Sequence, residues 1–371
     1  MSDGKRAIEE LRAEIARLDV QLLGTLEKRA HAARKLGEHR RGLPTSLPPG
    51  DRAALQALVA RSSGDMPEEA LREIFRHVFA ACVALELPVN VAFVAPEGGA
   101  AHAAARARFG ATASLTPAES VPLAMEEVIR HRAEFAVVPL ETRREGPVQA
   151  TIASLTQNDL KIVGTVEESW NLHLLNRSGN AADVEKVYVT AADRALCARF
   201  LEALPGMGTR VAILDVKTPL VACQIAAEDP GAAALSTDVF GASMGLEIAL
   251  KNVLDDGDYE VRYAVVGARP SSRTGADLTS FVFSVNDAPG ALLDVLKLFA
   301  ERGVNLIKIH SRPADEGRLE ARDREDGAAW PYLFFVELHG HATDRALVTA
   351  FEEVKRLTRF FKVLGSYAAA A

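Results

Sequence analysis

The sequence of 371 residues predicts a multidomain protein in three parts. These are an all-helical segment over 1–87, an α/β domain over 88–268 and an α+β, ferredoxin-like domain over 277–371. Three observations predict it. Residues 4–41 keep a helical apolar period without proline. From Val89 onward, short apolar runs alternate with helical patterns. Beyond a polar stretch at 268–277 that holds proline and glycine, the pattern becomes β-α-β-β-α-β.

In the first part, Ile8, Leu11, Ile15, Leu18 and Leu22 fall three or four apart, the spacing of a single apolar seam. At roughly 1.5 Å per residue this helix is about 55 Å long. The rest of its small segment cannot cover it, so it is expected to pack against a partner chain. Gly24 inside it costs about 1 kcal/mol relative to alanine. GLPTSLPPGD (42–51) breaks the helix. A second helix is expected over 51–62 and a third over 67–87, with Asp65 as its N-cap.

In the second part, VNVAFVA (89–95), FAVVPL (135–140), LKIVGTV (160–166), KVYVT (186–190), TRVAILD (209–215) and YAVVGA (263–268) read as strands of mostly parallel sheets. In the third, strands are expected over 278–285, 304–313, 332–340 and 362–367, and helices over 290–302 and 343–357. The charged insert 314–331 reads as a loop.

The net charge of −7 excludes the protein as a whole from nucleic-acid binding. Cys82, Cys197 and Cys223 are odd in number and widely spaced, which predicts buried thiols in a reducing compartment. The charged start and the lack of an eighteen-residue apolar run predict a cytoplasmic protein with no membrane partner.

Three arginines stand out in the first part. Arg29 and Arg40 share a helix face. Arg12 and Arg29 lie about 25 Å apart along the axis, so only antiparallel helices from two chains could bring them to one small molecule. Spacing alone leaves open that all three are solvated. LRAEIARLDVQLLGTLEKRAHAARKLGEHR (11–40) resembles the first helix of the all-helical chorismate mutases. The matches are Leu11-Arg12, the Ile15–Leu23 run with Asp19, then Arg29, and Arg40 in place of a lysine. Chorismate is a dianion that rearranges in one pericyclic step, so the site needs cations and orientation rather than a nucleophile. The resemblance implies that Arg12 of a partner chain and Arg29 hold carboxylates and that Arg40 approaches the ether oxygen. Arg52 and Glu86 complete the set. Ala53 stands where the family has glutamate, and Glu86 where many members have glutamine.

Three strand–helix junctions carry a second resemblance. They are APEGGAAHAAARARFG (95–110), VVPLETRREGPVQATI (137–152) and EVRYAVVG (260–267). Together they resemble the prephenate dehydratases through Pro96, Glu97, Gly98 and His102, then Pro139, Glu141, Glu145 and Gly146, then Thr218 with Ala222, then Arg262. This implies two α/β lobes, as in periplasmic binding proteins, with a site in the cleft that uses Glu97, Thr142, Thr218 and Arg262. Departures are Gly99, Thr142-Arg143, Lys217, Pro219, Tyr259 and, above all, Val261 in place of the threonine that acts on the leaving hydroxyl. Valine can neither donate nor accept a hydrogen bond.

DAPGALLDVLKLFAERGVNLIKIHSRP (287–313), YLFFVELHGH (332–341) and FFKVLGSY (360–367) resemble the ACT regulatory domain of the same enzymes. The resemblance implies phenylalanine held by Gly290, Ala291 and Leu292 at a helix N-terminus, by Asn305 and Leu306, and by Ser311 and Arg312. His310 replaces a family glutamate. The three resemblances imply a homodimeric or homotetrameric enzyme without cofactor or metal. It would convert chorismate to prephenate and then to phenylpyruvate, inhibited by L-phenylalanine. Two alternatives stay open: a catalytically degenerate phenylalanine-sensing scaffold or regulatory partner, and a mutase-only enzyme.

A carboxylate at Glu86 repels the dianion, whereas the protonated acid donates to the ether oxygen. Mutase activity is therefore expected to rise from pH 8 to pH 5, and a flat profile in a chorismate-consumption assay would contradict the assignment.

Overall fold

The structure is a computed structural model. It describes residues 3–40, 52–86, 89–110, 113–143, 145–204, 211–257, 259–286, 288–313 and 332–369. The chain divides into two compact units, one formed by residues 1–45, 51–89 and 106–114 and the other by the remainder.

The first unit holds α1 (Asp3–Arg40), α2 (Arg52–Val59) and α3 (Glu68–Glu86). Only the second half of α1 packs within it. Leu26, Arg29, Ala30, Ala33 and Gly37 are half-buried, whereas residues 5–23 are all exposed, including Ile8, Leu11, Ile15, Leu18 and Leu22. The helices α1 and α3 approach so closely that a Cβ added at Gly37 would overlap the Glu86 carbonyl oxygen. The expected N-cap at Asp65 needs correction. Its carboxylate accepts from the Ser63 hydroxyl (2.8 Å), and the helix starts three residues later. Short-range pairing within the Ser-Ser-Gly-Asp turn satisfies that side chain first.

The second unit contains three sheets, except that residues 106–114, which include the end of the helix after its first strand, count with the first unit. Along the chain run β1 (Asn90–Val94), α4 (Ala100–Phe109), β2 (Ser114–Ala118), α5 (Val121–Ile129), β3 (Phe135–Thr142), β4 (Gly146–Pro147), α6 (Gln149–Gln157) and β5 (Lys161–Trp170). A second lobe follows, with β6 (His173–Asn176), β7 (Lys186–Val189), α7 (Ala191–Leu196), α8 (Ala198–Ala203), β8 (Ala212–Asp215), α9 (Pro219–Glu228), β9 (Ala232–Ser236), α10 (Asp238–Ser243) and β10 (Glu247–Leu250). The chain returns to the first lobe in β11 (Tyr259–Gly267). It ends in β12 (Asp277–Ser284), α11 (Ala291–Ala300), β13 (Leu306–Pro313), β14 (Tyr332–His339), α12 (Arg345–Leu357) and β15 (Phe360–Ala368). The insert 314–331 lies outside the described residues.

The first sheet has the order β2-β1-β3-β11-β5, the second β10-β6-β9-β7-β8 and the third β13-β14-β12-β15. Mostly parallel sheets were expected, and this too needs correction. β1 pairs with β3 in parallel, but β11 lies antiparallel to both β3 and β5. In the second lobe β7 is parallel to β8 and β9, while β6 is antiparallel to β9 and β10. The reason is topological. The whole second lobe is inserted between β5 and β11, and the chain leaves at Trp170 and returns opposite it at Tyr259. A returning strand enters the sheet antiparallel to the one that left.

The third sheet is buried on both faces. Phe281 and Phe283 of β12 pack with Phe299 of α11 and Phe351 of α12. On the other face Leu278, Val282, Phe335, Leu364 and Tyr367 join one core with Ala136, Val138, Leu140, Ile152 and Ile162 of the first lobe. Lys161 and Lys362 stitch the seam, donating to Val363 O (2.7 Å) and Thr156 O (3.0 Å) respectively. A Cβ at Gly365 would overlap the backbone of Ile162. The stretch 268–277 is tied down as well: the Thr274 hydroxyl donates to Asp277 (2.6 Å), and Arg273 pairs with Asp344 (2.8 Å).

At both close approaches the neighbour is backbone and cannot turn aside. Gly37→Ala and Gly365→Ala should each destabilise the unit that contains it by about 1–3 kcal/mol, read from urea unfolding. An unmoved midpoint for either variant would show that the backbones separate without cost.

Candidate functional site

In the first unit the predicted cations lie along α1. Arg12 is exposed. Arg29 is half-buried; its Nη1 donates to Val78 O (3.3 Å), and its guanidinium lies 4.8 Å from the centre of the Phe79 ring. That contact fixes the side chain along α3. Arg40 ends α1 and Arg52 begins α2; the side chains of both lie outside the described residues. Glu86 is half-buried as the last residue of α3.

In the second unit the parallel strands β1 and β3 run toward the same edge of the sheet, where open α/β sheets bind their ligands, and β3 extends beyond the end of β1. After β1 the chain turns at Pro96–Gly99 into the N-terminus of α4. Glu97 is exposed on that turn. Gly98 N–H donates to His102 Nδ1 (3.0 Å), and the His102 ring lies between Phe93 (4.6 Å) and Phe240 of the second lobe (5.0 Å). The turn touches the start of α9, where a Cβ on Gly98 would lie 3.0 Å from Leu220 N. Thr218 is the N-cap of that helix; its Oγ1 accepts from Val221 N–H (3.2 Å), ahead of Pro219 in the first turn. Two helix N-termini from opposite lobes thus converge on one place, a geometry suited to an anion.

Thr142 closes β3. It is buried, and its Oγ1 accepts from Glu145 N–H (3.0 Å), which leaves the hydroxyl proton for donation. Strand register puts Val261 directly opposite Thr142 on one side and opposite Glu168 on the other. Hydroxyl, isopropyl and carboxyl groups therefore form a row across β3, β11 and β5 on one sheet face. Sequence reasoning did not single out Glu168, because a strand pairing was needed to place it.

Arg262 faces the opposite side. A register shift leaves Leu140 as an extra residue on β3, so Glu141 falls on the Arg262 face. Arg262 Nη2 lies 2.9 Å from Glu141 Oε2 and 2.6 Å from Glu337 Oε2 of β14. Lys308 of β13 pairs with Glu141 and lies 3.6 Å from Glu337 Oε2. The second Glu337 oxygen accepts from Ser280 Oγ (3.0 Å) and Tyr367 OH (2.8 Å). Glu337 is only 1% exposed. Burial alone would push its carboxyl up, but Arg262, helped by Lys308 and the Tyr367 hydroxyl, outweighs this and holds it below the usual carboxylate range. Burial and the neighbouring Glu337 push the Tyr367 hydroxyl well up, so it stays a donor. Sequence reasoning overlooked Lys308, Glu337, Ser280 and Tyr367. The visible signal was a glutamate inside the otherwise apolar run YLFFVEL.

In the third sheet, Gly290 caps α11 with φ +87, a left-handed conformation that glycine adopts without strain. Ala291 and Leu292 follow, half-buried, and present the first N–H groups of the helix. Asn305 is exposed just before β13, and Leu306 packs under the helices. Ser311 is exposed. Arg312 turns toward the first lobe, where its Nη1 donates to Gln149 Oε1 (2.7 Å). Cys82, Cys197 and Cys223 are buried free thiols, and burial pushes Cys197 up to about 12. Among the described residues no acidic, His or Cys cluster could hold a metal, and no helix is long and apolar enough to cross a membrane.

Comparison with known proteins assigns the three segments. Residues 11–87 match the family Chorismate mutase type II, residues 91–271 Prephenate dehydratase and residues 279–356 the ACT domain. The bifunctional chorismate mutase/prephenate dehydratase of Aquifex aeolicus is 36% identical over 97% of both chains. The crystal structure of prephenate dehydratase from Arthrobacter aurescens in complex with L-Phe is 28% identical, with a TM-score of 0.60, covering 76% of this chain and 90% of that one. A quorum-quenching acylase, GqqA, shares the fold at 22% identity and a TM-score of 0.59, covering 76% of this chain and 98% of that one.

The depressed carboxyl of Glu337 ties stability to pH. Its contribution is complete above the unfolded value of about 4.3 and is lost as pH falls through the lower folded value. Urea midpoints measured from pH 7 to pH 3 should fall less steeply in Glu337→Gln than in the parent; equal slopes would mean that Glu337 contributes nothing to the acid limb.

Proposed function

The chain belongs to the bifunctional chorismate mutase/prephenate dehydratase family, and from that premise we propose that its first unit rearranges chorismate and its α/β lobes convert the prephenate formed to phenylpyruvate, under feedback inhibition by L-phenylalanine. The observation that carries this is the match over 97% of both chains to a bifunctional relative. The buried, unbridged thiols fit work in the cytoplasm.

For the first reaction the working form is a homodimer or a pair of dimers. The apolar seam on residues 5–23 is exposed along its whole length and fits a second copy of α1. An antiparallel second copy brings its Arg12 toward Arg29, Arg40, Arg52 and Glu86 of the first. The guanidinium groups hold the two carboxylates so that the reacting ends meet. Arg40, with Glu86 beside it, stabilises charge on the breaking ether oxygen.

The second reaction expels carbon dioxide and hydroxide from opposite ends of the prephenate ring. The electrons of the breaking C–CO2 bond enter the ring as the C–OH bond breaks, and the leaving hydroxide takes a proton to depart as water. The helix N-termini at Gly99–Ala100 and Thr218 suit the substrate carboxylates. Thr142, buried at the end of β3 opposite Val261, offers a hydroxyl that suits the leaving group. Glu97 stands at the rim. For regulation, the free N–H groups at Gly290–Leu292 suit the carboxylate of phenylalanine, and Asn305 suits its amino group.

A second reading, a mutase whose dehydratase site has become a phenylalanine-sensing scaffold, is favoured by Val261, whose isopropyl group lies in the middle of the polar row. Loss of one acid–base group commonly costs about 10²–10⁴ in rate. Purified protein given chorismate and prephenate separately should consume both and form phenylpyruvate. Consumption of chorismate alone would favour the second reading, and turnover of neither by folded protein would leave only a sensor.

A further inference from the structure

We propose that Lys308 and Glu337 of the third sheet are positioning residues for the dehydratase reaction, acting through Arg262 and Glu141; this rests on the function proposed above. Arg262 and Glu141 stand next to Val261 and Thr142 in sequence and opposite each other in the β3–β11 ladder. Their side chains leave the sheet on the face away from the row Thr142–Val261–Glu168. The extra residue Leu140 sets this arrangement, because without it Glu141 would point toward that row.

On the far face, the two partners that complete the cluster come from the third sheet. Glu337 takes Arg262 at 2.6 Å, and Lys308 takes Glu141. Two carboxylates and two cations balance. Ser280 and Tyr367 occupy the second Glu337 oxygen, so that carboxylate has one fixed orientation. Arg262, 13% exposed in its side chain, is held by carboxylates. In this proposal its expected place in the catalytic set becomes that of a strut behind the site. Arg312 and Gln149 add a second tie from the same edge strand to the start of α6. A shift of β13 or β14 thus moves Glu141 and Arg262, and with them the backbone that carries Thr142 and Val261.

The full chain carries its own control, because the mutase lies in the other unit. In Lys308→Met and Glu337→Gln, dehydratase kcat should fall about 10- to 100-fold, the range set by displacing a reacting geometry by about 1 Å. KM for prephenate should change little and mutase activity should hold. Lys308→Arg, which keeps the charge, should recover most of the lost kcat. Unchanged kcat in both charge-removing variants, a loss confined to KM, a parallel loss of mutase activity, or failure of Lys308→Arg to recover kcat would each overturn the inference while leaving the function intact. A parent chain that turns over chorismate but not prephenate would remove the dehydratase reading and this inference together.

Discussion

A guanidinium taken out of water, as Arg262 is, persists only where carboxylates replace the lost hydration. Neither segment of the second unit could satisfy this cluster alone. Without β14, Arg262 and Glu141 would face solvent. Without β11, Glu337 would be a buried anion with only neutral donors and the distant end of Lys308. The third sheet is therefore bound to the first lobe by an electrostatic requirement as well as by the apolar core they share, and the two act at the same place.

That seam lies behind the candidate dehydratase site. One face of the β3–β11–β5 ladder carries the row of groups that suits the reaction. The other carries the charges that reach the third sheet. The two crossings to the second lobe lie opposite each other at Trp170 and Tyr259, so both links to that lobe leave the sheet at one place.

Much of the architecture was legible because it is local. The seam of α1 and the pattern of the last ninety or so residues each repeat at a fixed period. What failed depended on long-range pairing. AAALS (232–236) is a central strand made of a residue with poor strand propensity, buried on all sides, and nothing local marks it. Sheet direction was misread because it depends on where an inserted lobe returns. At the site, Arg29, Thr142 and Thr218 were visible in motifs, and the structure gives each a definite partner. Arg262 was visible too, but the partner it meets, Glu141, reaches its face only through a one-residue bulge in the neighbouring strand. Lys308 and Glu337 belong to different strands and meet Glu141 and Arg262 across 167 and 75 residues of sequence, where no periodicity extends.

The insertion of the second lobe between β5 and β11 also dictates the order of folding. During synthesis, β3 and β5 emerge early yet are not neighbours; β11 must come between them, nearly ninety residues after β5 has left the ribosome. Even then the face of Leu140, Ile162 and Ala264 stays uncovered until β12, β14 and β15 arrive. The nascent chain thus carries an open sheet edge until β11 arrives and an apolar face until the last strand does, a state prone to association. The regulatory segment is the last part of the core to form, and a chain that ends before it is an unfinished one.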